Sequence, residues 1–441
     1  MSTLNKLKRV FTREGAPAKA FAPADELKRT LMNCLLWEDQ FYEDGVSIAD
    51  RIKQLVPLVE PDRVAALAIT AREDMKLRHA PLLVLREMAR HATHRGLVAD
   101  TLVRVIQRPD EMTELLAIYW ADALGPMQQR KKQPISAQIK KGLARAVTKF
   151  DAYQLAKYDR DGAVRIRDVL FLVHAKPKDA EQEKVWKQLV EGELSAPDTW
   201  EVGLSAGSDK RETFERLIAE KKLGGLALLR NLRLMQKAEV PRETIAGAIE
   251  AMRVDRILPY RFITAARYAP DFEPELEAAM LKSITDQTRL KGRTRLLIDV
   301  SGSMDAALSR QSEMTRLEAA CGLAILAREV CEACEIFTFS NEVKKIPPRR
   351  GFALRDAIVA SQPHGGTFLG KAVKEVDRKG DRLIVFTDEQ SHDKVESPVG
   401  LGYMVNVASN QHGVGNGPWR RVDGFSEAVI AWIAASEEGR R

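Results

Sequence analysis

Asp299, Ser301 and Ser303 stand at alternate positions in LLIDVSGSMD, residues 296–305, directly behind an apolar run. One turn therefore offers a carboxylate and two hydroxyls, and Gly302 between the serines lets the backbone bend tightly enough for them to converge. Farther along, Thr367 follows Gly365 and Gly366 at the start of a helical pattern, and Asp388 ends the run RLIVFTD. These are five oxygen donors, two of them acidic, with no His or Cys among them. Hard donors of this kind suit one Mg²⁺ or Mn²⁺ rather than zinc. Mg²⁺ prefers six ligands and usually keeps several waters, so three hydroxyls and a carboxylate leave room for water or for a partner's acidic residue. Other chemistries fit less well. A phosphotransfer loop of the DxDx[TV] type wants a second acid where Ser301 stands. A serine-hydrolase elbow needs GxSxG after a strand, and VSGSM comes with no suitable His. The bland alternative is a capping turn that is polar by chance.

Elements able to position these donors are legible around them. TRLLIDVSGS reads as a buried strand, TRLEAACGLAILAREV as a helix and CEIFTFSNEV as a second strand. ALRDAIVASQ is a helix, and PHGGTFLGKAVKEVDRKG is a loop entering another. DRLIVFTDEQ and GYMVNVAS are strands, and FSEAVIAWIAASEE is a closing helix. Alternating strands and helices with continuous apolar strands predict an α/β, doubly wound, mostly parallel sheet over residues 291–441. Ligands in such sheets bind at the carboxyl ends of the strands, where Asp299 and Asp388 both fall.

Residues 24–290 are patterned differently. ADELKRTLMNCLLWEDQFYED, SIADRIKQLVPLV, PDRVAALAITARE, APLLVLREMARH and DEMTELLAIYWADAL repeat apolar residues at three- and four-residue spacing. Pro61 and Pro81 sit at first-turn positions, where a missing N–H costs little. Short amphipathic helices with brief breaks predict an α-solenoid of HEAT-like type. No strict period is present, so a compact irregular helical domain is the alternative. Residues 1–23 are basic, lack the apolar core of a secretory signal and read as a flexible terminus. No run of about 18 apolar residues is present, so no membrane helix is expected. Four cysteines in a chain this long do not suggest a disulfide framework. Cys331 and Cys334 form a lone CxxC with no second pair to complete a zinc site, and read as buried structural thiols. The simplest location is cytoplasmic.

Charge is local. The chain's net charge is +7. Residues 131–190 hold fourteen Lys and Arg against seven Asp and Glu, an excess equal to that of the whole chain. In KKGLARAVTKF, residues 140–150, Lys141, Arg145 and Lys149 follow at i, i+4, i+8 and line one helix face, while Leu143, Val147 and Phe150 face the core. No acid lies among residues 137–148, and an ordinary solvated face would mix both signs. Such a row suits phosphates, with salt-sensitive binding; a merely soluble face is the alternative. In the following segment Ile166, Val169, Leu170 and Val173 form an apolar helix face, and Pro177 stops the helix. His174, Lys176 and Lys178 gather at its end. His174 could stack on a base or donate to a phosphate. No helix-turn-helix, zinc finger or basic zipper favours DNA.

Two resemblances follow from these residues. DxSxS followed by Thr and Asp, met by Asp299, Ser301, Ser303, Thr367 and Asp388, resembles the metal-ion-dependent adhesion site of von Willebrand factor A domains. In that family the metal docks a partner and does not catalyse. KGLARAVTKF, LAKYDRDG and RDVLFLVHAKPK look like the core of the TROVE module of the Ro autoantigen family, and TFERLIAEKKLGGLALLRNLRLM resembles its later helices. The order of TROVE module then A domain is also that family's, so the chain resembles a bacterial-type or phage-borne Ro orthologue. The resemblance implies a ring of HEAT-like helices closed by the A domain, a non-enzymatic scaffold for RNA quality control. It implies small Y-like RNA on a basic outer surface, single-stranded ends of misfolded RNA in the central hole, and a tethered exoribonuclease. It carries RNA contact onto Lys141, Arg145, Lys149 and His174. The chain is shorter than typical Ro proteins, which implies trimmed helices or loops.

Overall fold

The structure, a computed structural model, describes residues 10–18, 21–33, 45–121, 134–205, 207–255, 257, 259–284, 289–308, 314–408, 410, 412–415, 417–424 and 428–438. Two compact units emerge, one drawn from residues 22–198 and the other from residues 10–21 together with 199–438. The first is helical. Its helices pack on near neighbours in the chain, often on the next but one rather than the next, and bury the apolar faces of amphipathic segments of 7–13 residues. Helix His79–Arg90 is buried along ten of its residues, from Ala80 to Ala89, and forms the unit's spine. A buried ion pair of 2.6 Å joins Arg72 to Glu111. The other Glu111 oxygen accepts from the backbone of Gln107 and Arg108, so that acid is fully satisfied. Gly142 explains one close approach: a Cβ there would lie 3.0 Å from the Leu102 side chain. Helix Ala137–Ala146 can therefore press against helix Arg95–Val105, which brings the basic face onto that neighbour.

The second unit joins helices Trp200–Ser205 through Glu273–Lys282 to a six-stranded sheet. After a small hairpin, β1 (Val10–Phe11) and β2 (Pro17–Ala18), the sheet strands are β3 (Leu290–Asp299), β4 (Cys331–Phe339), β5 (Val343–Ile346), β6 (Arg382–Thr387), β7 (Leu401–Asn406) and β8 (Arg420–Asp423). Their order is β5-β4-β3-β6-β7-β8, parallel except for β5. Strand β6 is buried at every residue, as a central strand covered on both faces must be. The run CEIFTFSNEV, read as one strand, turns at Ser340–Glu342 and returns as the antiparallel edge β5. Strand β8 was not anticipated.

The change of pattern near residue 290 marks a change of secondary structure, not a packing boundary. One continuous core runs from Phe214 through Phe262 and Leu276 to Leu323, Ile384 and Val429. Tyr260 lies against Gly322 in helix Arg316–Val330, and Arg267 is ion-paired to Glu318. Glu277 accepts from the backbone of Phe352 at 2.7 Å. The later helices are thus the six-stranded sheet's own cover. Residues 10–18, read as a flexible terminus, are instead docked. The Thr12 hydroxyl and the Ala16 N–H both donate to the Ser391 carbonyl, at 2.7 and 3.0 Å, and Ala16 is buried beside Met404 and Trp419. Backbone pairing and one small apolar anchor give such a segment order that its polar composition does not announce.

Candidate metal centre and basic surface

Parallel pairing of β3 with β6 places Ile298 opposite Phe386, so Asp299 and Asp388 leave adjacent strands at the same edge. Both are fully buried. One Asp299 oxygen accepts from the Ser301 N–H at 2.9 Å and the other from the Thr387 hydroxyl at 2.6 Å. After β3 the chain makes a tight helical turn, Gly302–Asp305, that sets the Ser301 and Ser303 hydroxyls 3.4 Å apart. Gly302 N–H donates to the Gly365 carbonyl at 3.0 Å, which draws the Thr367 loop against the serine turn. That loop is packed tightly: a Cβ on Gly365 would lie 2.4 Å from the Asn341 side chain. Thr367 is 3 % exposed, and its carbonyl accepts from the His392 backbone at 2.8 Å. The fold thus gathers the two carboxylates, the paired serines and the Thr367 loop at one sheet edge.

Electrostatics add a residue that the motif does not contain. Arg316, first residue of helix Arg316–Val330, donates from Nη1 to Asp388 Oδ2 at 3.1 Å, with neither side chain exposed. The same nitrogen lies 3.4 Å from the Ser303 carbonyl. Asp388 Oδ1 accepts from the Gln390 N–H at 3.1 Å. Glu389, also buried, turns away to accept from Gly415 N–H at 2.8 Å. Burial, reinforced by the neighbouring Asp388 charge, pushes the Asp299 carboxyl up to about 7. Among the described residues no group of three or more His, Cys, Asp and Glu could hold a metal, so any cation here relies on hydroxyls. The donor set fits Mg²⁺ or Mn²⁺: every donor is a hard oxygen, and a cation would relieve two buried acids that repel each other.

A pH prediction follows. Asp299 holds its proton more tightly in the folded chain than in the unfolded one, whose carboxyl keeps its ordinary value near 4. The folded state therefore binds more protons between those values, and metal-free stability falls as pH rises from about 4 to about 7. Asp299→Asn should remove that part of the slope, checked by denaturant unfolding in chelator across this range.

The basic segment takes a more varied form than its spacing suggests. Lys141 and Arg145 are exposed on helix Ala137–Ala146, while Leu143, Val147 and Phe150 are buried. The acid missing from residues 137–148 comes from elsewhere: Asp100 pairs with Arg145 at 2.5 Å. The Arg145 hydrogen bond and charge hold the Asp100 carboxyl below its ordinary value. Lys149 has a structural task. Its ammonium donates to the Val103 carbonyl at 2.6 Å and to the Ile106 carbonyl, at the end of helix Arg95–Val105. A cation there satisfies carbonyls that the helix leaves open. Lys149→Ala should cost about 1–2 kcal/mol of stability, seen as a lower urea midpoint.

His174 ends helix Ile166–Val173 in the left-handed conformation, φ 52°, and is exposed. Lys176 and Lys178 follow, both exposed. Gln182 ties this turn to the first segment, accepting from the Lys178 N–H at 3.1 Å and donating to the Thr148 carbonyl at 3.0 Å. The two basic segments are therefore neighbours. Two aromatic side chains add to this part of the unit and were not singled out from the sequence: Phe171, 62 % exposed, one turn before His174, and Tyr153, 52 % exposed. Apolar residues on the wet side of an amphipathic helix are the signal that could have found them.

A helical region followed by an α/β domain, with Asp299, Ser301, Ser303, Asp388 and the Thr367 loop at one edge of its parallel sheet, is the class of protein that this fold defines. The TROVE domain model matches residues 26–192 and 191–321. The chain belongs to the TROVE domain family. Among solved structures it is similar to the RO (RSR) protein of Deinococcus radiodurans, with a TM-score of 0.60 at 20% identity, covering 94% of this chain and 100% of that one. No curated protein sequence matches it. The fold is that of the Ro protein, helical region first and α/β sheet after. Among the described residues, no helix is long and apolar enough to cross a membrane.

Proposed function

We propose that this chain is a non-enzymatic RNA-binding scaffold of the Ro kind, working in the cytoplasm. The observation that carries this reading is the exposed basic surface of Lys141, Arg145, His174, Lys176 and Lys178, joined through Gln182 in a TROVE family member. Phosphates would meet the cations, and an unpaired base could stack on Phe171 or His174. The ligands are a small structured Y-like RNA and the ends of misfolded or maturing RNA, with an exoribonuclease as working partner. Lys149 enters chiefly as a support for this surface. Crosslinking RNA to the protein in its native host and sequencing it tests the reading. A dominant small structured RNA, lost with Lys141 and Arg145 reversed, is the expected outcome; background RNA alone would overturn it.

The edge site supports a second reading that is compatible with the first. Asp299, Ser301, Ser303, Thr367 and Asp388 would hold one Mg²⁺ or Mn²⁺ whose open position takes an acidic residue of a protein partner. Its support is the gathering of hard oxygen donors around two buried carboxylates. Asp299→Ala should then lose a Mg²⁺-dependent protein partner while RNA affinity stays near normal. A partner profile independent of both Mg²⁺ and Asp299 would remove this reading.

A further inference from the structure

The edge motif supplies oxygens, and the fold sets a fixed positive charge against them. Arg316 stands 3.1 Å from Asp388 and is as deeply buried as the acid it meets. It does not swing on a loose loop. Thr315 and Glu318 close a reciprocal cap around the helix start, with Thr315 N–H donating to Glu318 at 2.8 Å and Glu318 N–H to Thr315 Oγ1 at 3.1 Å. Glu318 is in turn paired with Arg267. A guanidinium does not lose its proton at any ordinary pH, so this charge is permanent.

We propose that Arg316 sets the metal affinity of the edge site, holding Asp388 in place and weakening the binding of a divalent cation. This rests on the metal reading of the site. Two carboxylates offer a divalent ion two negative charges, and the guanidinium cancels one of them. It also occupies the Asp388 oxygen that it contacts. Repulsion between a guanidinium and a divalent ion acts here through a poorly screened interior. The consequence is a site that binds Mg²⁺ weakly and reversibly, suited to filling when a partner's carboxylate restores the missing negative charge.

The test uses the full chain, stripped with chelator and titrated with Mn²⁺, reading free Mn²⁺ by electron paramagnetic resonance. Arg316→Gln keeps a donor for Asp388 but removes the charge, and should bind Mn²⁺ about tenfold more tightly or better. Arg316→Lys, which restores a charge, should return toward wild-type affinity. Equal or weaker binding by the Gln variant overturns the proposal while leaving the metal site standing. No Mn²⁺ bound by any of the three chains overturns the metal reading itself, and this proposal with it. A Gln variant that folds only when Mg²⁺ is present supports the proposal, since the metal then replaces the lost cation. If that variant folds under neither condition, Arg316→Met takes its place in the same titration.

Discussion

Asp388→Ala is expected to destabilise the metal-free protein by about 3–5 kcal/mol, a large part of what a domain usually has. The reason is the group left behind. Arg316 has no exposed surface, and its guanidinium is held by Asp388 at 3.1 Å. Removing the carboxylate leaves a buried charge without that counter-ion, and the Gln390 N–H loses its acceptor as well. Asp388→Asn should cost nearly as much, because it keeps the shape and loses the charge. Denaturant unfolding followed by near-ultraviolet circular dichroism measures the loss. The pair Asp388→Ala with Arg316→Leu should recover part of it, since both charges then leave together. A loss below about 1 kcal/mol, the range of an exposed pair, would show that the ion pair does not support this edge of the sheet.

Lys141→Glu combined with Arg145→Glu is expected to weaken binding of a small structured RNA by about 100-fold or more near physiological salt. Each reversal removes a phosphate contact and adds a repulsion. The slope of log affinity against log salt should flatten by about 2. The fold should survive, because both side chains are exposed and the Arg145–Asp100 pair lies at the surface, where water and salt screen an ion pair. Fluorescence anisotropy at two salt concentrations, with circular dichroism as the folding control, decides it. Unchanged affinity would place the RNA elsewhere and leave this basic face without a ligand.

The sequence by itself determined whatever depends on local periodicity and residue chemistry. A 3.6-residue apolar spacing over residues 24–290 and continuous apolar strands beyond them set the helical region and the α/β sheet, because backbone geometry turns those periods directly into buried faces. That Asp299 and Asp388 come to one edge was legible because strand ends of a parallel sheet share it. The clustering of Lys and Arg was a matter of counting.

Only the tertiary structure decided who meets whom. Asp100 answers Arg145 from 45 residues away, and Lys149 closes a helix end that its own helix does not contain. Arg316 follows Ser303 by 13 residues, yet its partner is Asp388, 72 residues further on. The later helices share a core with the sheet, and the N-terminal hairpin docks on Ser391. Ion pairs, caps and shared cores are set by packing in three dimensions. A charged residue reads the same in sequence whether it faces water or a buried acid, and the packing around it makes the difference.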